Sequence, residues 1–162
     1  MRARHITACI VLTATVAFAQ SGAQRSFDQL KSLTGSWEGK NSMGQPVQVS
    51  YRMTAGGSAL MSEIVGHGET MISMINFDGP NRLLLTHYCA VGNQPRMQAS
   101  ASPDGKTITF NFLDATNLDS PQSGHMDQVV IVMLGPGHHT EEWNFTDHGK
   151  EIKEFFDLTR KN

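Results

Sequence analysis

The chain has 162 residues, of which 13 are Lys or Arg and 15 are Asp or Glu, so its formal net charge is −2. A nearly neutral chain without a basic run argues against nucleic acid as a partner. Beyond the first twenty residues, no apolar run approaches the roughly 20 residues that a membrane helix requires. The length is typical of one domain with a sizeable core.

The N-terminal segment has the layout of a secretory signal peptide. Arg2 and Arg4 precede an apolar run over residues 6–18, and Ala19 ends a small-residue pattern. We therefore expect cleavage after Ala19, which leaves residues 20–162 as one exported domain in the periplasm or outside the cell.

Cleavage there also removes Cys9 and leaves Cys89 as the only cysteine. A single cysteine cannot form an internal disulfide, even in an oxidising compartment. We expect packing alone to stabilise the fold.

A short helix is predicted next. Ser26 and Gln29 have the spacing of a capping box with Ser26 as the N-cap, and Leu30 and Leu33 then share one face. Gly35 is suited to end this helix in the left-handed conformation.

The rest of the chain alternates between strand and turn patterns. Val47, Val49, Tyr51 and Met53 alternate with polar residues, which is the period-2 pattern of a strand with one wet face. Because turns separate segments of similar length, we predict an all-β fold: an antiparallel up-and-down β-barrel of eight to ten strands with a short N-terminal helix. The predicted strands lie near residues 36–42, 46–54, 58–66, 70–77, 82–91, 94–102, 107–113, 125–134, 138–146 and 150–159.

The stretch LLLTHYCAVGNQPRMQA contains the pair Gly92-Asn93, which favours a two-residue hairpin turn. In that register Cys89 lies opposite Arg96 and His87 lies opposite Gln98, so these four side chains share one face. If that face is interior, the hairpin contributes the polar end of a cavity.

A turn at His148-Gly149 predicts the register of the last hairpin in the same way. His139 and Leu158 lie on the mostly apolar face that we expect to be interior. Three cross-strand pairs complete this face: Phe145 with Ile152, Trp143 with Glu154, and Glu141 with Phe156.

Three polar residues therefore need partners inside the barrel. Burial of a charge is costly unless the charge is paired, so His139, Glu141 and Glu154 require a partner, water or a place near an open mouth. Arg96 is one candidate partner.

The segment Gly35-Ser36-Trp37 resembles the G-x-W opening of lipocalin and other calycin barrels. In those folds the Trp closes one end of the barrel, and a late basic residue, which corresponds to Arg160, packs over it. The longer Gly35-Ser36-Trp37-Glu38-Gly39 is similar to the opening of nitrobindin-type haem barrels, although their Tyr-Pro pattern does not follow and no haem-ligating histidine can be assigned. The strings THYCAVGNQPRM and TEEW resemble segments of uncharacterised exported bacterial barrel proteins. These resemblances bear on fold more than on function.

The leading functional hypothesis is that a small apolar or amphipathic molecule binds in the barrel cavity. Inward aromatic residues would form the walls, and Arg96 or His139 would contact a polar group. The alternative is a filled barrel with a structural or non-catalytic interaction role. The candidate ligand-binding residues are Tyr51, Met53, His87, Cys89, Arg96, Gln98, His139, Glu141, Trp143, Phe145, Glu154 and Phe156.

A second hypothesis is a metal- or haem-binding barrel. His139 and Glu141 share one strand face, and His87 or His125 from another wall would supply a further nitrogen. No particular cofactor is predicted.

A third hypothesis is catalysis by Cys89, with Arg96 lowering the pKa of the thiol and His87 acting as the base. No enzyme motif accompanies these residues, so the sequence favours a protein that is not an enzyme.

The outer wall suggests a homodimer. Residues 71–77, 83–85 and 129–134 are apolar on both faces, which is more than a strand with one wet face needs. The N-terminal helix would cover one such patch and a second subunit another.

Overall fold

The computed structural model describes residues 20–66 and 68–161, and the predicted signal peptide lies outside these residues. This part of the chain contains one α-helix, a short 3-10 turn at Ala55–Gly57 and ten strands. The elements are α1 (Gly22–Lys31), β1 (Gly35–Asn41), β2 (Pro46–Thr54), β3 (Ala59–Gly66), β4 (Glu69–Phe77), β5 (Leu83–Tyr88), β6 (Gln94–Ala101), β7 (Thr107–Thr116), β8 (His125–Gly135), β9 (His138–Asp147) and β10 (Lys150–Arg160).

The strands form a closed antiparallel barrel. Each strand pairs with the next along the chain, and β1 pairs with β10 so that Trp37 lies opposite Arg160 and Asn41 opposite Phe156. Closure leaves no free sheet edge for another chain to pair with. The predicted fold class is confirmed, and the barrel has ten strands.

Alternation along each strand builds the core. In β2, Val47, Val49 and Tyr51 are buried, whereas Gln48 and Arg52 are exposed. Burial of one apolar side chain contributes about 1.5 to 3 kcal/mol. The row that points inward is therefore the row that is mostly apolar.

Helix α1 begins earlier than predicted. The spacing of a capping box occurs twice, and Ser21 is the N-cap, with its Oγ accepting from the Gln24 amide at 3.1 Å. Ser26, the predicted cap, is buried within the helix. The earlier start adds a turn while Phe27 and Leu30 still face the core. No helix in residues 20–66 and 68–161 is long and apolar enough to cross a membrane.

Gly35 does not cap the helix as predicted. The C-cap is Ser32, and Gly35 opens β1 with φ +129°. A Cβ at Gly35 would lie 2.7 Å from Nη1 of Arg160. The glycine is needed because other residues rarely adopt this φ, and the Arg160 side chain also passes close to its backbone.

Helix α1 lies over the end of the barrel where β1 begins, which we call the helix end. The opposite end, which carries the β5–β6 and β9–β10 turns, is the distal end. Phe27 and Leu30 are buried, and the Phe27 ring lies 4.9 Å from the ring of Phe77 at the end of β4. The apolar face of the helix therefore packs on the core.

Trp37 is 1% exposed at the helix end. Its Nε1 donates to the backbone oxygen of Leu33 at 2.7 Å. The guanidinium of Arg160 lies 4.2 Å from the Trp37 ring centroid and donates to the backbone oxygens of Ser32 and Thr34. This is the packing that the G-x-W resemblance implied.

The predicted turn of the β5–β6 hairpin is wrong. The Cys89 amide donates to the Asn93 oxygen at 3.1 Å, and the Gly92 amide donates to the Cys89 oxygen at 2.9 Å. Residues 90–92 therefore form a three-residue loop, with Gly92 in the left-handed region at φ +91°.

This loop changes the register of β6. Gln98 lies opposite Leu84, three residues earlier than the predicted partner His87, and Arg96 lies opposite Thr86. A shift by an odd number of residues moves side chains to the other face of the sheet. Arg96 and Gln98 therefore lie on the outer face and do not share a face with His87.

The β9–β10 register is confirmed. Phe145 lies opposite Ile152, Trp143 opposite Glu154, and Glu141 opposite Phe156. Both turn residues, His148 and Gly149, have positive φ, as the two-residue turn requires.

Candidate ligand-binding site

Glu141 places a carboxylate inside the barrel at 0% exposure. Its Oε1 accepts from the Tyr51 hydroxyl at 2.6 Å and lies 3.1 Å from Nε2 of His139, and its Oε2 accepts from Nε1 of Trp143 at 2.9 Å. Strand β9 supplies three of these residues as successive inward side chains, and β2 supplies Tyr51. We call these four residues the Glu141 network.

The chemistry of each side chain shows which atoms of the Glu141 network donate hydrogen bonds. An ionised carboxylate only accepts, so the contact requires His139 to carry its hydrogen on Nε2. Its Nδ1 has no hydrogen-bond partner among the described residues, and the ring packs against Trp37 with centroids 4.3 Å apart. Burial raises the pKa of Tyr51 well above its usual value, and the charge of Glu141 adds to this effect. The phenol therefore stays protonated and donates.

His87 lies near the distal end of β5 and is fully buried. It faces Ser73 directly across the β4–β5 ladder, and its Nδ1 lies 2.9 Å from Ser73 Oγ. Its Nε2 has no hydrogen-bond partner in the described part of the chain. The ring centroid is 4.9 Å from that of Trp143. Burial lowers the pKa of His87 to about 4, so the imidazole is neutral near pH 7.

Cys89 lacks the surroundings of an activated nucleophile. The residue is partly buried, and burial raises the pKa of its thiol. Arg96 instead donates on the outer face to both carboxylate oxygens of Asp114, and it lowers the pKa of that carboxyl. The predicted activation of Cys89 by Arg96 is therefore wrong, because the two side chains lie on opposite faces of the sheet.

Gln98, like Arg96, contacts an outer side chain, with its Oε1 accepting from Nε of Arg82 at 3.3 Å. The predicted role of both residues as the polar end of an interior cavity is wrong for the same reason, the register of β6. Glu154 is partly buried and accepts from Nδ2 of Asn41 at 3.0 Å. The Asn41 amide therefore contacts this carboxylate, and Arg96 lies on the outer face of β6, paired with Asp114.

The remaining candidates lie at different levels of the barrel. Phe156 is buried opposite Glu141, at the level of the Glu141 network. Met53 is partly buried toward the helix end, and Phe145 is partly buried toward the distal end. The inward candidates therefore line the barrel along its length.

The candidate metal ligands do not converge. His139 contacts Glu141, but His87 is held separately, and Nδ1 of His125 lies 2.7 Å from the backbone oxygen of Ser123. No three His, Cys, Asp or Glu side chains of the described residues are grouped so that they could hold a metal ion. The geometry offers isolated nitrogens and not a multi-ligand centre.

Two polar residues of this region are absent from the candidates that the sequence indicates. Ser73 lies in a segment of apolar residues, and its polar side chain there was the available signal. Asn93 was assigned to the two-residue hairpin turn, and it is 5% exposed with no hydrogen-bond partner for its Oδ1 among the described residues. Only the observed three-residue loop shows that Asn93 lies just before β6 and on the same side as its inward-facing residues.

The chain matches no protein-family model, and no curated protein matches its sequence. The crystal structure of Rv2717c from M. tuberculosis is similar, with a TM-score of 0.59 and 14% sequence identity over 85% of this chain and 98% of that chain. This likeness shows the fold alone. A solved structure thus supports the barrel, whereas membership of the lipocalin or calycin group is not shown.

Proposed function

We propose that the protein is a carrier that binds a small amphipathic molecule in the distal half of the barrel. The observation that carries this proposal is Nε2 of the fully buried His87, which has no hydrogen-bond partner among the described residues. A hydroxyl, amine or carbonyl group of the ligand pairs with this nitrogen. The apolar part of the ligand packs on the ring of Trp143.

An unpartnered buried polar atom favours a bound partner. Such an atom destabilises a folded protein by about 1 to 3 kcal/mol, and buried polar groups are rarely left without a hydrogen bond. His87 cannot relieve this by taking up a proton near pH 7, because burial lowers its pKa to about 4. Ser73 holds the ring through Nδ1, so Nε2 keeps one direction. A neutral ligand group forms the missing hydrogen bond to Nε2 without bringing a charge into the barrel.

The Glu141 network supports a structural role for the middle of the barrel. Both carboxylate oxygens of Glu141 are hydrogen-bonded, and Tyr51 and Trp143 are held by those bonds. A buried carboxylate whose two oxygens are both bonded holds its donors in place and gives a rigid wall. In this proposal the network is the floor of the site, and Trp143 faces the ligand.

The distal end is the proposed entrance. At the helix end Trp37 is 1% exposed beneath Arg160, whereas Phe145 and Cys89 near the distal end are partly exposed. Entry past Phe145 brings a ligand to Trp143, two residues further along the same inward row.

Titration with the neutral apolar dye N-phenyl-1-naphthylamine tests the proposal. We expect saturable enhancement of dye fluorescence with one site per chain, and an affinity about tenfold weaker for His87→Leu, since one buried hydrogen bond is lost. His138→Leu removes an exposed imidazole and is the matched control. Native mass spectrometry of protein purified without refolding is expected to show a co-purified small molecule.

Two outcomes argue against this function. Absence of both dye binding and added mass contradicts a carrier and favours a filled barrel that acts through its surface. Equal dye affinity of His87→Leu and His138→Leu contradicts the assignment of His87.

The metal- or haem-binding alternative is favoured by one observation, the same Nε2 of His87. Histidine ligands to metals bond through one ring nitrogen while the other is held by an oxygen, as Ser73 Oγ holds Nδ1 here. His87 would hold haem iron through this one nitrogen, whereas a multi-ligand metal centre would need several such groups together. A haem absorption band or metal mass that is lost in His87→Leu would support this alternative over a metal-free ligand.

Two sequence-based expectations belong to the same proposal. Export rests on the N-terminal segment, and N-terminal sequencing of the protein after expression with its full chain tests cleavage after Ala19. A homodimer rests on the apolar outer strands, and light scattering at several concentrations tests it.

A further inference from the structure

Apolar side chains collect on the outer face of β3, β4 and β5. Met61 lies directly opposite Met74 across the β3–β4 ladder, and Ile72 lies opposite Tyr88 across the β4–β5 ladder. The residues that alternate with them along each strand are buried, so these side chains point away from the core, and Tyr88 is 46% exposed. An apolar area across three neighbouring strands is typical of a surface that a partner covers. We call six residues of this face the outer patch: Met61, Val65, Ile72, Met74, Leu84 and Tyr88.

Two charged side chains lie at the outer patch without an opposite charge. Arg52 of β2 lies opposite Met61, and its Nη2 donates to the Met61 sulfur at 3.3 Å. Glu63 is the next outward residue of β3 and is partly buried. Neither forms an ion pair within the part of the chain that the structure describes. By contrast, Arg96 on the other side of the patch pairs with Asp114.

The arrangement of these residues fits a two-fold axis. Met61 and Met74 face each other, and Leu84 lies one outward position nearer the helix end on the next strand, so the three follow one oblique line across the sheet. Arg52 and Glu63 lie on opposite sides of this line. In a symmetric dimer the same surface of both copies forms the contact. An axis along the line therefore places each apolar residue on its own counterpart and each arginine on the glutamate of the other copy.

We infer that a second copy of this chain docks on the outer patch and forms a symmetric dimer. Met61, Met74 and Leu84 pack on their counterparts, and Arg52 of each copy pairs with Glu63 of the other. The inference names the interface of the homodimer proposed above, so it rests on that expectation and not on the carrier function. Met, Tyr and Arg are also residue types that are enriched in protein interfaces.

The apolar outer face of β8 fits a second copy less well. Val130 lies there opposite Glu142 of β9. The carboxylate of Glu142 is 3.0 Å from Nζ of Lys153 in the same chain. Its charge is therefore already paired within one copy, whereas the charges at the outer patch are complementary only between copies.

Charge reversal tests the inference. Sedimentation equilibrium of the purified protein measures the dissociation constant of the dimer. Arg52→Glu places two carboxylates at each of two symmetry-related contacts, and Glu63→Arg places two guanidinium groups there. We expect each variant to weaken the dimer about tenfold or more, because like charges face each other across the interface. The double variant Arg52→Glu/Glu63→Arg restores the opposite charges and should dimerise within about threefold of the unsubstituted protein.

Lys150→Glu is the matched control. It makes the same change of net charge at an exposed position beside the β9–β10 turn, away from the outer patch. We expect it to leave the dissociation constant unchanged. Circular dichroism of every variant checks that the barrel is folded, and recovery in the double variant distinguishes a lost contact from a damaged fold.

The outcomes separate the interface from the other proposals. If the unsubstituted protein is a monomer at the highest concentration measured, the homodimer fails and this inference fails with it, while the carrier function is judged by dye binding alone. If a dimer forms but Arg52→Glu weakens it no more than Lys150→Glu, or if the double variant is as weak as the single ones, the dimer uses another surface and this inference alone is wrong.

Discussion

A histidine that is buried in neutral form makes folding depend on pH. Burial lowers the pKa of His87 from 6.5 to about 4. Between these values the unfolded chain binds a proton at this residue and the folded protein does not, so stability falls as the pH falls through this window. Above the pKa of 6.5 in the unfolded chain, neither state holds this proton, and His87 no longer lowers the stability.

We expect this residue alone to lower the free energy of unfolding by about 2 kcal/mol between pH 7 and pH 5. Urea unfolding at both pH values checks the expectation. His87→Gln has no imidazole there and should lose about 2 kcal/mol less than the unsubstituted protein. The same pH dependence for His87→Gln and the unsubstituted protein would rule out a buried neutral imidazole.

Arg96 lies outside the barrel, and its substitution should have little effect. Its ion pair with Asp114 is about half exposed to water, and exposed ion pairs contribute little to stability. We expect Arg96→Ala to keep both the thermal midpoint and the dye affinity, as Arg82→Ala should, since Arg82 also forms an exposed ion pair. A large loss of dye affinity in Arg96→Ala alone would place the side chain in the site and contradict the register of β6.

At the scale of elements, the end of β10 ties several segments together through Arg160. The guanidinium donates to the backbone oxygens of Ser32 and Thr34 after α1 and to Pro136 in the β8–β9 turn, and it covers the ring of Trp37. A planar group with several fixed donors is needed for this, and Lys has none of that geometry.

We expect Arg160→Lys to lower the free energy of unfolding by about 1 to 2 kcal/mol and Arg160→Ala by about 2 to 4 kcal/mol. Lys161→Ala removes the neighbouring exposed cation and is the control. Urea unfolding with Trp fluorescence measures all three. If Arg160→Ala is no less stable than Lys161→Ala, the contacts of the guanidinium do not hold α1 on the barrel.

The two predicted hairpins differ in whether the turn residues alone predict the register of the strands. At the β9–β10 turn the predicted register is confirmed, and Trp143 and Glu141 are buried as expected, whereas Ile152 beside the turn is 51% exposed and not interior. At the β5–β6 turn, the pattern Gly92-Asn93 would have put Arg96 inside and Met97 outside. The longer loop buries Met97 at 0% exposure and leaves Arg96 to pair in solvent. Burial of a whole strand face outweighs the preference of one turn.

At the scale of the whole molecule, closure depends on a close approach between β1 and β10. A Cβ at Gly39 would overlap with the backbone oxygen of Asp157. A side chain there must push apart β1 and β10, the first and last strands, whose pairing closes the barrel. Glycine at this position is therefore required for space and not for an unusual φ.

We expect Gly39→Ala to lower the free energy of unfolding by about 3 kcal/mol or more, because the clash is with backbone that cannot rotate away. Gly135→Ala is a matched control, since a Cβ there meets nothing within 4 Å. Thermal unfolding followed by circular dichroism compares the two variants. Equal midpoints would show that the barrel tolerates a wider β1–β10 spacing.

Local patterns in the sequence determined most of the architecture. Alternation of period two and the turn residues between segments were enough to locate all ten strands to within a few residues and to place His139, Glu141 and Trp143 on one inward face. These features depend on neighbours in the chain, so they can be read without coordinates.

Contacts between distant segments were decided only by the tertiary structure. Tyr51 and Glu141 are 90 positions apart and meet because the barrel closes, and Asn93 reaches Gly124 because two loops share the distal end. The burial of His87, whose Nε2 has no partner within residues 20–66 and 68–161, and the choice of inward residues in β6 likewise follow from which strand faces are buried together. Such choices minimise exposed apolar surface and unpaired charge over the whole barrel, and no short segment contains that information.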